Sequence, residues 1–325
     1  MAQTTGPETP PRRTYRHEAF LYQGVAEYLE GTVPFLRAAL SAGEPVMVAT
    51  VRPRLDLLQG ALSRHASAVR WVDMSRLGRN PACIIPAWLR FLEEWAGDGR
   101  AARGVGEPLW AGRRPEEIVE CHLHEALLNQ AISAETPLWL RCPYDVASLD
   151  APDVDEARRN HPFVHAAGRQ DSSPDYVTSG RTTAMAQEFP EPAERTEDIV
   201  FGLEDLASVR AIVTRRAGAA GMTPRRAADL ELALHEIASN SLRHGGGTGV
   251  LRIWEDSRTL VCEVRDRGRL RDPLVGRRQP LENSEGGRGV WLANHLCDLV
   301  QMRSSEQGTT VRLLSWLSPD ENETG

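Results

Sequence analysis

Glu236, Asn240 and His244 recur at intervals of four in the stretch DLELALHEIASNSLRHGGG. On a helix that spacing puts all three on one line. Leu230, Leu234, Ile237 and Leu242 bias the core to an adjacent stripe. A carboxylate and an amide one turn apart, beside a core stripe, can face a cleft instead of bulk water. The amide oxygen of Asn240 suits a hard cation such as Mg²⁺. The Glu236 carboxylate can orient or deprotonate an attacking hydroxyl. Taken alone, the line reads first as a solvated helix face. Two further stretches carry related chemistry. Asp266-Arg267-Gly268 follows the apolar run TLVCEV, so a carboxylate stands at a strand end, where it can accept from an exocyclic amine such as that of adenine. Gly268 would let a nucleobase approach the backbone, although Asp and Gly also make simple turns. Gly286-Gly287-Arg288-Gly289 precedes a helix beginning near Val290. Glycines there expose backbone N–H groups to phosphate, and the helix dipole favours negative charge; any flexible loop can share that composition.

These residues need elements to position them. From Val200 the pattern predicts two successive helices, GLEDLASVRAIVTRRAGAAG and PRRAADLELALHEIASNSLRHGG. Two alternating strands follow, GVLRIWED and TLVCEVRD, around a turn at Asp256–Ser257. A flexible stretch then leads to the helix VWLANHLCD, and LVQMRSSEQGTTVRLLSWL closes as a hairpin. Helices and antiparallel strands in this order predict a two-layer α/β sandwich.

The three stretches in this order resemble the GHKL family of ATP-binding domains, shared by histidine kinases, gyrase-type ATPases and anti-sigma serine kinases. Glu236 and Asn240 match its ExxxN. Asp266 and Gly268 match its DxGxG-type box, in which Leu270 replaces the last glycine. Gly287 and Gly289 match the GxG of the lid. Gly308-Thr309-Thr310 resembles the family strand whose Thr supports the adenine-binding Asp. The resemblance covers about residues 200–317. It implies a GHKL (Bergerat) sandwich, ATP between helix and lid, Asn240 on Mg²⁺, Asp266 on adenine, and Arg288, Thr309 and Thr310 around the nucleotide. The string EIASNSLRHG is most similar to the anti-sigma factor serine kinases. There the Glu of ExxxN is the proposed base for a target serine, a role that falls to Glu236, and His244 matches a His that commonly follows the Asn. The partners implied are a sigma factor, a STAS-type anti-sigma antagonist, or both.

Upstream, between Gly24 and about His165, strands and helices alternate. Helix-like EYLEGTVPFLRAALSAG stops at Gly43; PVMVATV, VRWVDM, ARGVGEPLW and PLWLRCPYD read as strands. PRLDLLQGALSRHA, IIPAWLRFLEEWAG and PEEIVECHLHEALLNQAI read as the helices between them. This predicts a mostly parallel sheet with flanking helices. The stretches GTVPFLRAALSAGEPVMVATV, GRNPACIIPAWLRFLEEW, RGVGEPLW, HEALLNQAI and LRCPYD resemble the MEDS-type sensory domain, and also a KaiC-like or RecA-like core without its phosphate loop. Gly31-Thr32 lies roughly where that loop would end. The resemblance implies an unidentified small ligand or signal. Cys121-His122-Leu123-His124 suggests a metal cluster at first sight. On a helix, however, His122 points away from Cys121 and His124, which share a face near Glu117 and Glu125; helix packing or ligand contact is the stronger reading. Cys142 at a strand end joins a pocket or is an inert buried thiol. Trp88, Trp95, Trp110 and Trp139 read as core or pocket wall, and Asn80-Pro81 as a tight turn in preference to a ligand loop.

The domain expectations are a disordered lead over 1–16, the sensory domain over 17–165, a polar linker over 166–198 with one edge strand near its end, the ATP-binding domain over 199–318, and a tail over 319–325. A hydrophobic fraction of 41% supplies a sizeable core, and a net charge of −7 argues against direct nucleic-acid binding. All 38 basic residues are Arg. That reads as genome composition, yet it excludes a GxxxxGK[ST] loop, which needs a Lys. Five scattered cysteines without a CxxC, no apolar leader and no membrane-length run point to a reduced, cytoplasmic protein with no membrane partner. A homodimer is compatible with this reading. A histidine kinase would need a phosphoacceptor near the linker; His161 and His165 are the candidates, and Pro162 opposes a continuous helix there. A binding module in which ATP only sets conformation is the other alternative.

Overall fold

The computed structural model describes residues 14–95, 99–177, 185, 188–192, 196–256, 258–280 and 287–317. Most of the expected lead, Ser257, Gly286 and the expected tail lie outside them. The chain divides into two compact units, one formed by residues 1–76, 87–113 and 128–178, the other by 77–86, 114–127 and 179–325.

The elements up to residue 172 are, in order, β1 (Arg16–Tyr22), α1 (Gly24–Ser41), β2 (Val46–Thr50), α2 (Arg52–Leu62), β3 (Val69–Asp73), α3 (Met74–Leu77), α4 (Ile84–Trp95), β4 (Ala102–Gly106), α5 (Pro115–Ala131), β5 (Leu138–Asp145), α6 (Ala151–Asn160), β6 (Phe163–Ala166) and β7 (Arg169–Ser172). The strands form one sheet in the order β3-β2-β4-β5-β1-β6-β7, parallel throughout except for the β6–β7 hairpin. Central strands β2 and β4 are buried at every residue, as strands covered on both faces must be. Close packing explains two sequence features. A Cβ on Gly104 would stand 2.5 Å from the Trp88 ring, and one on Gly31 2.2 Å from Phe20. Trp88 and Trp139 are therefore core, whereas Trp95 is exposed and Trp110 half-buried beneath the Arg113 guanidinium.

Three elements were not legible. Strand β1 lies between β5 and β6, yet its RHEA start hides the apolar pattern, because His17 and Glu18 are buried. Glu18 is held there by the Arg141 Nε at 2.7 Å. Helix α6 follows β5 where the sequence showed no helical period, and two further strands come after it, so the sheet does not end at PLWLRCPYD. The β6–β7 hairpin extends the sheet into residues expected to be linker. Its Ala167-Gly168 turn has φ of 48° and 71°, as a type I′ hairpin turn requires, and the exposed, polar β7 looks like linker in composition.

The second unit contains β8 (Ile199–Phe201), α7 (Leu206–Ala219), α8 (Pro224–His244), β9 (Gly249–Asp256), β10 (Thr259–Asp266), α9 (Arg288–Leu296), β11 (Leu299–Ser305) and β12 (Gly308–Trp316). Its sheet is antiparallel, in the order β11-β12-β10-β9-β8. One face packs Leu251, Cys262, Val264 and Leu313 against Val213 of α7, Leu234 and Ile237 of α8 and Ala293 of α9. The other alternates Val261 with Glu263, whose carboxylate accepts from Arg265 and Arg312 at 2.6 and 2.7 Å. This is the predicted two-layer sandwich. Among the described residues, no helix is long and apolar enough to cross a membrane.

Candidate functional site

Helix α8 is set by its ends. The Thr223 hydroxyl accepts from the Arg226 N–H, Pro224 takes the first turn, and Gly245 closes the last. Ala227, Leu230, Ala233, Leu234, Ile237, Ala238 and Ser241 are its buried residues. Glu236 and Asn240 lie half-buried on the flank of that stripe.

What they face is shown by Gly289 in the first turn of α9. A Cβ there would stand 2.8 Å from Glu236 Oε2 and 2.9 Å from Asn240 Nδ2. The two glycines of the GxG do different things. Gly287 caps α9 with φ of 86°, a conformation that favours glycine; Gly289 lets the helix start close on the Glu–Asn line. Beside them a cleft of ≈ 450 Å³ is lined by Glu236, Gln279, Pro280, Arg288, Trp291 and Leu292.

At the C-terminal end of α8, one residue past Asn240, Ser241 meets Asp266, which terminates β10. Its Oδ1 accepts from the Gly268 N–H at 2.7 Å and its Oδ2 from the Ser241 hydroxyl at 2.6 Å. Each carboxylate oxygen retains acceptor capacity, so the group stays available for an amine. Glycines make this junction possible. A Cβ on Gly245 would stand 2.4 Å from Asp266 Cβ, and one on Gly268 2.6 Å from the His244 carbonyl oxygen.

Thr309 pairs opposite Asp266 across the β10–β12 ladder, but its hydroxyl donates to the Gly268 carbonyl at 2.9 Å. The hydroxyl on Asp266 is that of Ser241. The supporting role implied for Thr309 is therefore one step removed: it fixes the loop that donates to the carboxylate. Thr310 pairs with Arg265, so it occupies the opposite face of the sheet. The His244 side chain is exposed at the helix end. Leu270, where the family has glycine, packs partly on the core, and its N–H donates to Ser304 Oγ at 3.0 Å.

Ser241 and Gly245 were missed as site residues. The signal was there for Ser241: a hydroxyl stands on the core stripe, seven residues after Leu234, where burial demands a partner.

In the region resembling a sensory domain, Cys121, His124 and Cys142 are buried and His122 half-buried. The Asn80 side chain accepts from the Ala82 N–H at 3.1 Å, the tight turn expected.

Residues 16–162 match the family model of the methanogen/methylotroph, DcmR sensory domain, MEDS. Residues 199–315 match that of the histidine kinase-like ATPase domain. No curated protein matches the chain. Among solved structures, the RsbU and RsbW domains of Rv1364c from Mycobacterium tuberculosis align at 19% identity and a TM-score of 0.28, covering 37% of this chain and 32% of that one. This chain thus spans about a third of that protein's length. The histidine kinase AdeS of Acinetobacter baumannii aligns at 13% identity and a TM-score of 0.22, covering 38% of this chain and 70% of that one. The protein carries a MEDS sensory domain followed by a histidine kinase-like ATPase domain.

Proposed function

We propose that the second domain binds Mg·ATP between α8 and the start of α9 and phosphorylates a serine on a protein partner, under control of a signal received by the MEDS domain. The observation that carries the reading is the approach of Gly289 to Glu236 and Asn240. It leaves a backbone cradle that any side chain would fill, beside a carboxylate and an amide of the right chemistry.

In this reading Asp266 accepts from the adenine amine while Ser241 and Gly268 hold its carboxylate in place. Asn240 offers its carbonyl oxygen to Mg²⁺. The N–H groups at the start of α9, with Arg288, face phosphate. Bound ATP supplies the phosphoryl group: the serine oxygen forms a bond to the γ-phosphorus and the bond from that phosphorus to the β,γ-bridging oxygen breaks, leaving ADP. Glu236 takes the serine proton. The partner proposed is a STAS-type anti-sigma antagonist, with a sigma factor as the protein controlled; this rests on the likeness of EIASNSLRHG to anti-sigma serine kinases. Both His161 and His165 are unsuited to a histidine kinase's phosphoacceptor helix. Helix α6 ends at Asn160, His161 is fully buried, and His165 lies on β6.

Titration with ATP, with and without Mg²⁺, tests the site. Mg²⁺-dependent binding by the intact protein, lost in Asn240→Ala and Asp266→Ala, is the expected result; no binding by the intact protein overturns it. Leu270 motivates a second reading, in which ATP sets conformation without transfer. Under that reading Glu236→Ala leaves partner control intact; under the first it abolishes phosphoserine.

A further inference from the structure

We propose that the MEDS domain holds a divalent transition-metal ion, of the zinc class, between His17, Cys142 and His161. Their donor atoms all lie within 4.8 Å of one another. His17 is on β1 and Cys142 on the neighbouring β5. The ladder pairs His17 with Leu140 and Ala19 with Cys142, so both side chains project from the same face, two residues apart. His161 closes α6 as its C-cap and brings its ring centroid 4.0 Å from that of His17.

The sulfur of Cys142 is 3.4 Å from His17 Nε2. Zn–S and Zn–N bonds of about 2.3 and 2.1 Å at tetrahedral angles place two ligands roughly 3.5 Å apart. The pair is thus already at ligand spacing.

The outer hydrogen bonds select the donor atoms. His161 Nδ1 lies 2.7 Å from the Ala157 carbonyl oxygen. A carbonyl only accepts, so Nδ1 carries the proton and Nε2 the lone pair. Asn129 donates its Nδ2–H to the Asn160 carbonyl at 2.8 Å, which turns its Oδ1 toward His17 Nδ1 at 3.0 Å. His17 is thereby held in the same tautomer. Two imidazoles anchored through Nδ1, each with its Nε2 lone pair left for a metal, form the usual support of a histidine metal site.

All three residues are at most 1% exposed, so water does not compete for them. A His₂Cys set suits zinc or copper, not magnesium or calcium. Binding releases the Cys142 thiol proton to solvent. No local motif announces the site, because its donors are spread from residue 17 to residue 161. CysHisLeuHis, over 121–124, is the more conspicuous string.

The full-length chain, stripped by chelator and titrated with Co²⁺, tests the proposal. The expected result is one equivalent bound, with intense visible bands, a thiolate-to-cobalt charge-transfer band, and bleaching by Zn²⁺. Cys142→Ser should lose the charge-transfer band, and Cys121→Ser should keep it. Asn129→Ala should weaken affinity about 10- to 100-fold. If the folded wild-type chain, checked by circular dichroism, binds no Co²⁺ or gives no charge-transfer band, the site is only a buried Cys–His hydrogen bond and the proposal fails.

Discussion

Replacing Gly289 by Ala separates the nucleotide site from the fold. The added methyl would stand 2.8 Å from Glu236 Oε2, 2.9 Å from Asn240 Nδ2 and 3.2 Å from Glu236 Cβ. The two closest atoms are the far ends of side chains, so the protein accommodates the methyl by turning them away. Moving each off its preferred rotamer costs about 0.5–1.5 kcal/mol. Against that, Ala in a helix gains roughly 0.5–1 kcal/mol over Gly, and Gly289 has no positive φ to lose. Net stability should fall by no more than about 2.5 kcal/mol, a Tm shift of at most roughly 10 °C. Binding should respond more strongly. Losing a hydrogen bond or cation contact made by a charged partner costs about 1.5–3 kcal/mol, which is about 10- to 100-fold in Kd. Calorimetric titration with Mg·ATP, paired with a thermal melt, measures both. A variant that melts like the wild type and binds Mg·ATP within twofold of it would refute the assignment of the Glu236–Asn240 line to the nucleotide.

Other perturbations probe the supports. Gly245→Ala puts a methyl 2.4 Å from Asp266 Cβ and 2.5 Å from the Ser241 carbonyl oxygen; with backbone in the way, a loss of about 1–3 kcal/mol is expected by denaturant titration. Ser241→Ala removes the donor to Asp266 Oδ2 and should cost about 1 kcal/mol of stability while weakening ATP more than an adenine-free polyphosphate in competition titrations. Gly104→Ala drives a methyl into the Trp88 ring at 2.5 Å, and the same overpacking cost of about 1–3 kcal/mol should appear as a lowered melting transition. Burial pushes the Cys262 thiol up to about 12 and Cys297 well above its usual value. Both should resist iodoacetamide at pH 8 in the native protein and react once denatured, as mass spectrometry of the labelled peptides would show.

How far the sequence could be read depended on whether a residue's role was local. Helix α8 was legible because its cap, its stripe and its ExxxN all recur within one window of 21 residues. The central strands β2 and β4 were legible because burial on both faces makes them mostly apolar or small, Arg103 excepted. Strand β1 was not, because its first buried positions are His17 and Glu18, and what makes them tolerable lies far along the chain: Arg141 for Glu18, Asn129 and Cys142 for His17. Helix α6 failed differently. APDVDEARRN buries only Val154 and Ala157, too few apolar positions to show a period.

The same distinction separates two kinds of polar residue in this protein. Glu236 and Asn240 are half-buried against a backbone cradle. Their ends are open to change, as a site that must admit and release a ligand requires. His17, Cys142 and His161 are shut away, with both histidine Nδ1 atoms held at 3.0 and 2.7 Å. Burying such groups costs free energy unless something satisfies them. A weak thiol–imidazole hydrogen bond returns little of that cost; a coordinated ion returns far more. If the three donors hold an ion, removing it should lower the melting temperature of the MEDS domain while leaving Mg·ATP affinity at the other domain unchanged. A chelator-treated protein that melts at the untreated temperature would show that the hydrogen bonds alone suffice.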